Sequence, residues 1–81
     1  MPTVLRFGAY RVMIFTEDHG PAHVHVFGPD SVFVFLLQCP RGPVRLRERM
    51  RGSQREMNRI ARVLNENLDI LCTAWRNLHG E

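Results

Sequence analysis

Apolar residues in the first half of the chain alternate with polar ones or run together, which predicts β-strands. The predicted ranges are rich in β-branched and aromatic residues and are bounded by turn-forming residues. They cover residues 4–7, 10–16, 23–27 and 31–38. Gly8 opens a two-residue loop, as expected of a type II′ hairpin, because glycine accepts a positive φ without steric cost. Val44–Arg47 alternates strictly and fits either a short edge strand or an irregular lead-in.

Apolar residues three and four positions apart predict one long helix at about residues 54–78. Ser53 followed by Glu56 forms a capping box at its start, and Gly80 is a stop signal at its end. The predicted buried stripe consists of Met57, Ala61, Leu64, Leu68, Leu71, Trp75 and Leu78. The patterns therefore predict a single α+β domain over residues 1–81: an antiparallel β-meander of about four strands, followed by one long C-terminal amphipathic helix.

The fourth predicted strand is apolar on both of its faces. One face carries Val32, Val34 and Leu36, and the other carries Phe33, Phe35 and Leu37. One helix covers only one face of a sheet, and a sheet face in water is normally polar. We therefore expect the second face to meet another copy of the chain, giving a homodimer or larger homo-oligomer, or a partner protein. Loops of the same chain are the alternative cover.

The composition is that of one small globular domain. The 81 residues are 44% apolar and 23% charged, which excludes a disordered tail or a collagen-like repeat. No apolar run reaches the roughly 18 to 20 residues that span a bilayer, and no secretory signal is visible, so we expect a cytoplasmic protein with no membrane association. Cys39 and Cys72 are too few for a disulfide-dependent secreted domain, and we expect free thiols in the core.

Positive charge is concentrated in residues 41–62, whose formal charge is +6, whereas the rest of the chain carries −3. Arginines at the start of a helix oppose the helix dipole, so an anion-binding role is a reasonable interpretation. RNA, DNA or an acidic partner protein would supply such an anion, and a merely solvated face is the alternative. The candidate partner- or anion-binding residues are Arg45, Arg47, Arg49, Arg51, Arg55, Arg59 and Arg62.

Histidines supply the second candidate chemistry. His23 and His25 share one face of a strand and are about 7 Å apart by strand rise, close enough to bind one divalent metal ion. His19, with Asp18 or Glu17, is a candidate for a further ligand. Proton transfer or phosphate contact by His23 or His25 is an alternative, which makes these two residues the catalytic candidates. A structural role at a strand edge is the remaining interpretation.

The chain resembles a family of small bacterial proteins described as domain of unknown function 4160. The resemblance rests on residues 1–4, the Gly8–Arg11 turn, the Pro21–Val26 segment with the upstream His19, and a terminal helix carrying Trp75. Family members usually have a second proline where this chain has Ala22, and charge in the fourth strand where this chain has none. Members are often encoded beside another small protein, in pairs that look like toxin–antitoxin modules. The resemblance thus implies a small cognate partner protein and an RNA target.

These observations lead to one main functional hypothesis and three alternatives. The main hypothesis is a small cytoplasmic interaction protein of a toxin–antitoxin-like module, which engages an anionic partner, RNA or acidic protein, through the arginine cluster. One alternative is a metal-binding protein that uses the histidine cluster. Another is a metal-independent ribonuclease toxin with His23 or His25 as general base. The last is a structural subunit. We expect no cofactor, with a divalent metal as the one alternative.

Overall fold

A computed structural model of the chain describes residues 3–80, which form a five-stranded antiparallel sheet and two helices. The strand order follows the chain, so the α+β class and the predicted meander are confirmed. The strands are β1 (Thr3–Phe7), β2 (Tyr10–Met13), β3 (His23–Phe27), β4 (Val32–Leu36) and β5 (Arg45–Arg51), and the helices are α1 (Gln54–Glu66) and α2 (Leu68–His79). Met1, Pro2 and Glu81, which the predicted domain includes, lie outside the described residues.

A fifth strand corrects the predicted number of four. The edge-strand interpretation of Val44–Arg47 was right in kind, but β5 starts one residue later and continues to Arg51. It pairs with β4 from Leu36 opposite Arg45 to Val32 opposite Arg51, and two register shifts fit its seven residues against the five of β4. β4 is therefore an interior strand, which agrees with its apolar residues on both faces.

The second strand is shorter than predicted because a turn replaces its last residues. β2 ends at Met13 rather than at residue 16. The backbone N–H of Asp18 donates to the carbonyl of Phe15 at 3.0 Å, and the N–H of Phe15 donates to Asp18 Oδ2 at 3.2 Å. An aspartate that bonds its neighbouring backbone competes with strand pairing in this way. The turn brings the Asp18 carboxylate back toward the start of β3.

Asn67 divides the predicted long helix into two. Its φ and ψ of −118° and 21° are not helical, and its side-chain Nδ2 donates to the carbonyl of Val63 at 2.8 Å. The asparagine amide thus takes over a backbone acceptor of the last turn of α1. The predicted ends are confirmed: Ser53 Oγ accepts from the N–H of Glu56 at 3.0 Å, and Gly80 closes α2 with a φ of +74°.

Both helices pack on the same face of the sheet and bury it. Val24 and Val26 of β3 are fully buried there, in one cluster with residues of β2, β4, α1 and α2. The buried stripe of the helices differs from the prediction at two residues. Ile60, which was not predicted to belong to it, is fully buried, and Leu78, which was, is 36% exposed. A real helix has 3.6 residues per turn, so a strict seven-residue spacing drifts by about 20° per heptad and its last member turns toward water.

The other face is here called the open sheet face, and the Trp75 ring of α2 lies near one end of it, 5.3 Å from the His23 ring. Strand register places His23, His25 and Phe27 on it, opposite Leu36, Val34 and Val32 respectively. At its centre, Met13 and Val34 are nevertheless only 6% and 2% exposed. The face is thus better shielded within one chain than the strand pattern indicated, which weakens the argument for self-association. The homo-oligomer stays a prediction.

The two cysteines form a disulfide, which corrects the expectation of free thiols. Cys39 follows β4 and Cys72 lies on α2, with a Cα–Cα distance of 5.9 Å. The sequence did not reveal the pair because the two cysteines are 33 positions apart and only the packing of α2 brings them together. The pairing also removes the cysteine-based part of the argument for a cytoplasmic location, which stays a prediction. Neither α1 nor α2, the helices found in residues 3–80, has the length and apolarity needed to cross a membrane.

Glu56 fastens the start of α1 to the sheet. Its carboxylate accepts hydrogen bonds from the hydroxyl groups of Ser31, at 2.5 Å, and of Tyr10. These bonds, first that from Ser31 and then that from Tyr10, hold the pKa of Glu56 below its ordinary value, with smaller help from the Ser53 backbone and Arg59 against opposing desolvation. Hydrogen bonds to a charged carboxylate stabilise the charged form.

We expect reduction of the Cys39–Cys72 disulfide to lower the free energy of unfolding by about 3–4 kcal/mol, because the bond closes a loop in the unfolded chain. Guanidinium denaturation with and without a phosphine reductant measures this. The C39A variant is the control, because its transition should not respond to the reductant. Two free thiols in protein kept under oxidising conditions would contradict the pairing.

We expect E56Q to lower the free energy of unfolding by about 1 kcal/mol at pH 7, because the amide cannot accept the two hydroxyl bonds as strongly. The pKa of Glu56 is lowered in the folded state, so the stabilisation is present above the unfolded value of 4.5 and is lost as pH falls through the folded value. The free energies of unfolding of wild type and E56Q should therefore converge as the pH falls below 4.5 and through the lower folded-state pKa. E66Q, an exposed change on the same helix, is the control. A difference that stays constant with pH would refute the assignment.

Candidate metal centre

Burial of the valines in β3 fixes the orientation of its histidines. Successive side chains of a strand point to opposite faces, so the buried Val24 and Val26 put His23 and His25 together on the open sheet face. The two imidazole rings lie 5.3 Å apart between centroids. His25 also contacts Phe15 edge-on, with ring centroids 4.6 Å apart. The sequence-based prediction of a shared face is thus confirmed.

Asp18 completes a group of three possible ligands. Its Oδ2 atom lies 3.4 Å from Nε2 of His23 and 3.4 Å from Nε2 of His25. One ligand atom from each residue lies within 4.8 Å of the other two. The turn from Phe15 to Asp18 holds the carboxylate in place through its two hydrogen bonds. Three residues from two elements therefore converge on one point.

The tautomer of His23 favours metal binding at Nε2. Its Nδ1 lies 2.9 Å from the carbonyl oxygen of Pro21, and because a carbonyl only accepts, Nδ1 carries the proton. Nε2 then presents a lone pair to the Asp18 carboxylate, and two acceptors at 3.4 Å need a cation or a proton between them. A backbone carbonyl on the far nitrogen is the usual support of a metal-ligating histidine. His23 is itself only 5% exposed.

His25 offers the second nitrogen in a state suited to coordination. Its Nε2 is buried and makes no hydrogen bond within residues 3–80. Desolvation by burial lowers the pKa of His25, and the charges of His23 and Arg47 lower it further, while Asp18 raises it. The net lowering keeps the imidazole neutral near pH 7, and only a neutral imidazole coordinates a metal.

The ligand set indicates the kind of metal. Two imidazoles and a carboxylate suit zinc and other first-row divalent ions. In a tetrahedral site with bonds of about 2.0–2.1 Å, ligand atoms lie about 3.4 Å from one another, and the Asp18–His contacts of 3.4 Å match this. Three protein ligands leave a fourth position for water or another ligand. Side-chain exposures of 7%, 22% and 18% for His23, His25 and Asp18 make this a partly buried site.

His19, the other predicted ligand, does not join this group. It is exposed and lines a separate cavity of about 360 Å³ together with Asp18 and residues of α2. The sequence analysis offered Asp18 or Glu17 as a further ligand beside His19, and the sequence could not rank these two acidic residues. The turn from Phe15 to Asp18 directs the Asp18 carboxylate toward β3, so Asp18 is the residue that joins the two histidines.

His79 is a partly buried histidine beside the site that the sequence analysis did not single out. It stacks on Trp75 with a centroid distance of 3.9 Å, its Nδ1 faces the Trp75 carbonyl at 3.2 Å, and its buried Nε2 has no partner within residues 3–80. It lines the same cavity as His19. A position in the last helical turn carries no periodic signal that would mark it, so only the fold reveals this placement.

The arginine cluster is divided between two faces. By register, Arg45 and Arg51 lie on the open sheet face, while Arg49, opposite Phe33, lies on the helix side. Arg55, Arg59 and Arg62 are on α1, and Arg59 donates to the Tyr10 hydroxyl at 3.3 Å. All seven candidate arginines are exposed, and none forms an ion pair with a carboxylate of residues 3–80. Phe33, Phe35 and Trp75 are buried, as the sequence indicated, so none is free to stack on a base.

The fold and this site define a small α+β protein with a His₂Asp centre on the open face of its sheet. Comparison with known proteins then gives the family. A family model described as a domain of unknown function, DUF4160, matches residues 9–76, which is most of the chain, so the protein belongs to this family. The matched range contains Asp18, His23, His25 and all seven arginines. No curated protein and no solved structure matches the chain.

Proposed function

We propose that the protein binds one divalent transition-metal ion, zinc above all, through Asp18, His23 and His25. The observation that carries this proposal is the convergence of three ligand atoms within 4.8 Å, on a backbone that packing holds in place. The protonated Nδ1 of His23 and the unpartnered Nε2 of His25 support it, because both prepare a nitrogen lone pair for a cation.

The same geometry disfavours His23 as the general base of a metal-independent ribonuclease. A general base needs a nitrogen that faces the substrate, within hydrogen-bond reach of the proton that it removes. His23 has its Nδ1 on the Pro21 carbonyl and its Nε2 on Asp18, so neither nitrogen is available. His25 directs its buried Nε2 to Asp18, so a ribonuclease of this kind would depend on Nδ1 of His25.

We expect wild-type protein without an affinity tag to bind one Zn²⁺ per chain in isothermal titration calorimetry. D18N and H25A should each weaken binding at least tenfold, because each removes a direct ligand, and changes of supporting groups alone cost about 10- to 100-fold. Co²⁺ substitution should give the intense visible absorption of a tetrahedral site in wild type and not in D18N or H25A.

H19A is the matched control, since it removes a neighbouring histidine that lies outside the group. It should bind Zn²⁺ as wild type does. Equal weakening by H19A and H25A would show that the ligand set is different, and absence of stoichiometric binding by wild type would overturn the proposal. Circular dichroism of each variant checks that the fold is retained.

A second candidate function, the engagement of an anionic partner through the arginines, is favoured by their exposure without ion pairs. Guanidinium groups that bind no carboxylate of residues 3–80 keep their full donor capacity for phosphate or carboxylate groups of a partner. The toxin–antitoxin-like partnership belongs to this proposal and rests on the family resemblance. A solvated, charged strand edge that prevents aggregation is the competing explanation.

Charge-matched variants separate these explanations. We expect R49A/R55A/R62A to weaken binding of a fluorescent single-stranded RNA at least tenfold in anisotropy titrations at low salt. R6A/R11A/R76A loses the same charge outside the cluster and should weaken it far less. Polyglutamate is the second probe, and tighter binding to it than to RNA would identify an acidic protein as the partner. Equal losses for the two variants would mean that only net charge matters.

A further inference from the structure

The surroundings of the metal centre point to what its fourth position binds. The centre lies on the open sheet face, and strand register places arginine there as well. His23 pairs with Leu36, and Leu36 pairs with Arg45, so the three side chains form one row across β3, β4 and β5. Two strand spacings separate the Cα atoms of His23 and Arg45 by about 10 Å, within reach of an extended arginine side chain.

A second arginine extends toward the same place. Arg47 is exposed and occupies the irregular position of β5, between residues paired with Val34 and Phe35. It directly precedes Glu48, which pairs with Val34 in the row that also contains His25. Neither Arg45 nor Arg47 forms an ion pair with a carboxylate of residues 3–80. Both guanidinium groups are therefore free to donate to a ligand.

The net charge of this region favours an anion. Glu48 lies in the row of Val34 and His25 and opposes the arginines. The formal charges of a divalent ion, the Asp18 and Glu48 carboxylates and the two guanidinium groups add up to +2. Among common anions, phosphate suits this arrangement best, because one oxygen can ligate the metal while others accept from planar guanidinium groups.

We propose that the centre is a phosphate-binding site, in which a phosphate group takes the fourth metal position and hydrogen-bonds to Arg45 and Arg47. This inference rests on the proposed function, since the metal supplies the first contact. It adds the class of ligand and two further binding residues. The ligand is either free phosphate or a phosphomonoester, or the diester backbone of a nucleic acid.

The Co²⁺-loaded protein tests this proposal, because the visible spectrum of Co²⁺ responds to a change of the fourth ligand. The probes are inorganic phosphate, adenosine 5′-monophosphate, an unphosphorylated dT8 oligonucleotide that offers only diesters, and acetate. We expect phosphate and the monophosphate to shift the spectrum with saturation. A shift with dT8 at lower concentration would assign the site to nucleic acid backbone, and its absence would assign it to free or monoester phosphate.

Two double variants test the role of the arginines. R45A/R47A should raise the Kd for inorganic phosphate at least tenfold with Co²⁺ affinity unchanged, and R6A/R76A, which loses the same charge outside the arginine cluster, should not. A spectrum that acetate shifts as strongly as phosphate, or equal effects of the two double variants, would overturn the inference while the metal site stands. If wild type fails to bind Co²⁺, the proposed function fails, and the phosphate site fails with it.

Discussion

The alternation of side chains along β3 is the constraint on which both the fold and the site depend. Val24 and Val26 are fully buried beneath the helices, so hydrophobic burial sets the strand's orientation. A shift by one residue would place His23 and His25 under the helices and move both valines to the open sheet face. The energy that orients the candidate ligands therefore comes from the core, and the imidazoles need no metal to be held on the open sheet face.

The position of Asp18 depends on a competition, just after β2, between continued strand pairing and a turn. The apolar pattern continues to residue 16, and pairing could have continued with it. Instead Asp18 bonds to the backbone of Phe15 at 3.0 and 3.2 Å, and the chain turns. Lost strand pairing is exchanged for a carboxylate fixed 3.4 Å from two imidazole nitrogens. A departure from the structure that the local sequence favours is common at functional sites.

What the sequence could and could not predict follows from the range of the interactions involved. The face shared by His23 and His25, the Ser53 cap and the end at Gly80 depend on near neighbours, and all three were predicted correctly. The Cys39–Cys72 pair, the choice of Asp18 over His19 and the placement of His79 depend on contacts between distant elements. The break at Asn67 is local, but an apolar stripe that continues through it conceals it.

The arginine-rich segment shows that arginines close together in sequence need not lie on one surface of the folded protein. Strand β5 sends alternate residues to opposite sides of the sheet, and its two irregularities shift that alternation. Arg45 and Arg47 therefore belong with the metal centre, whereas Arg55, Arg59 and Arg62 belong to the helix layer on the far side. One run of positive charge is thus divided between two surfaces. This division would allow mutations to separate the proposed phosphate site from the proposed partner surface.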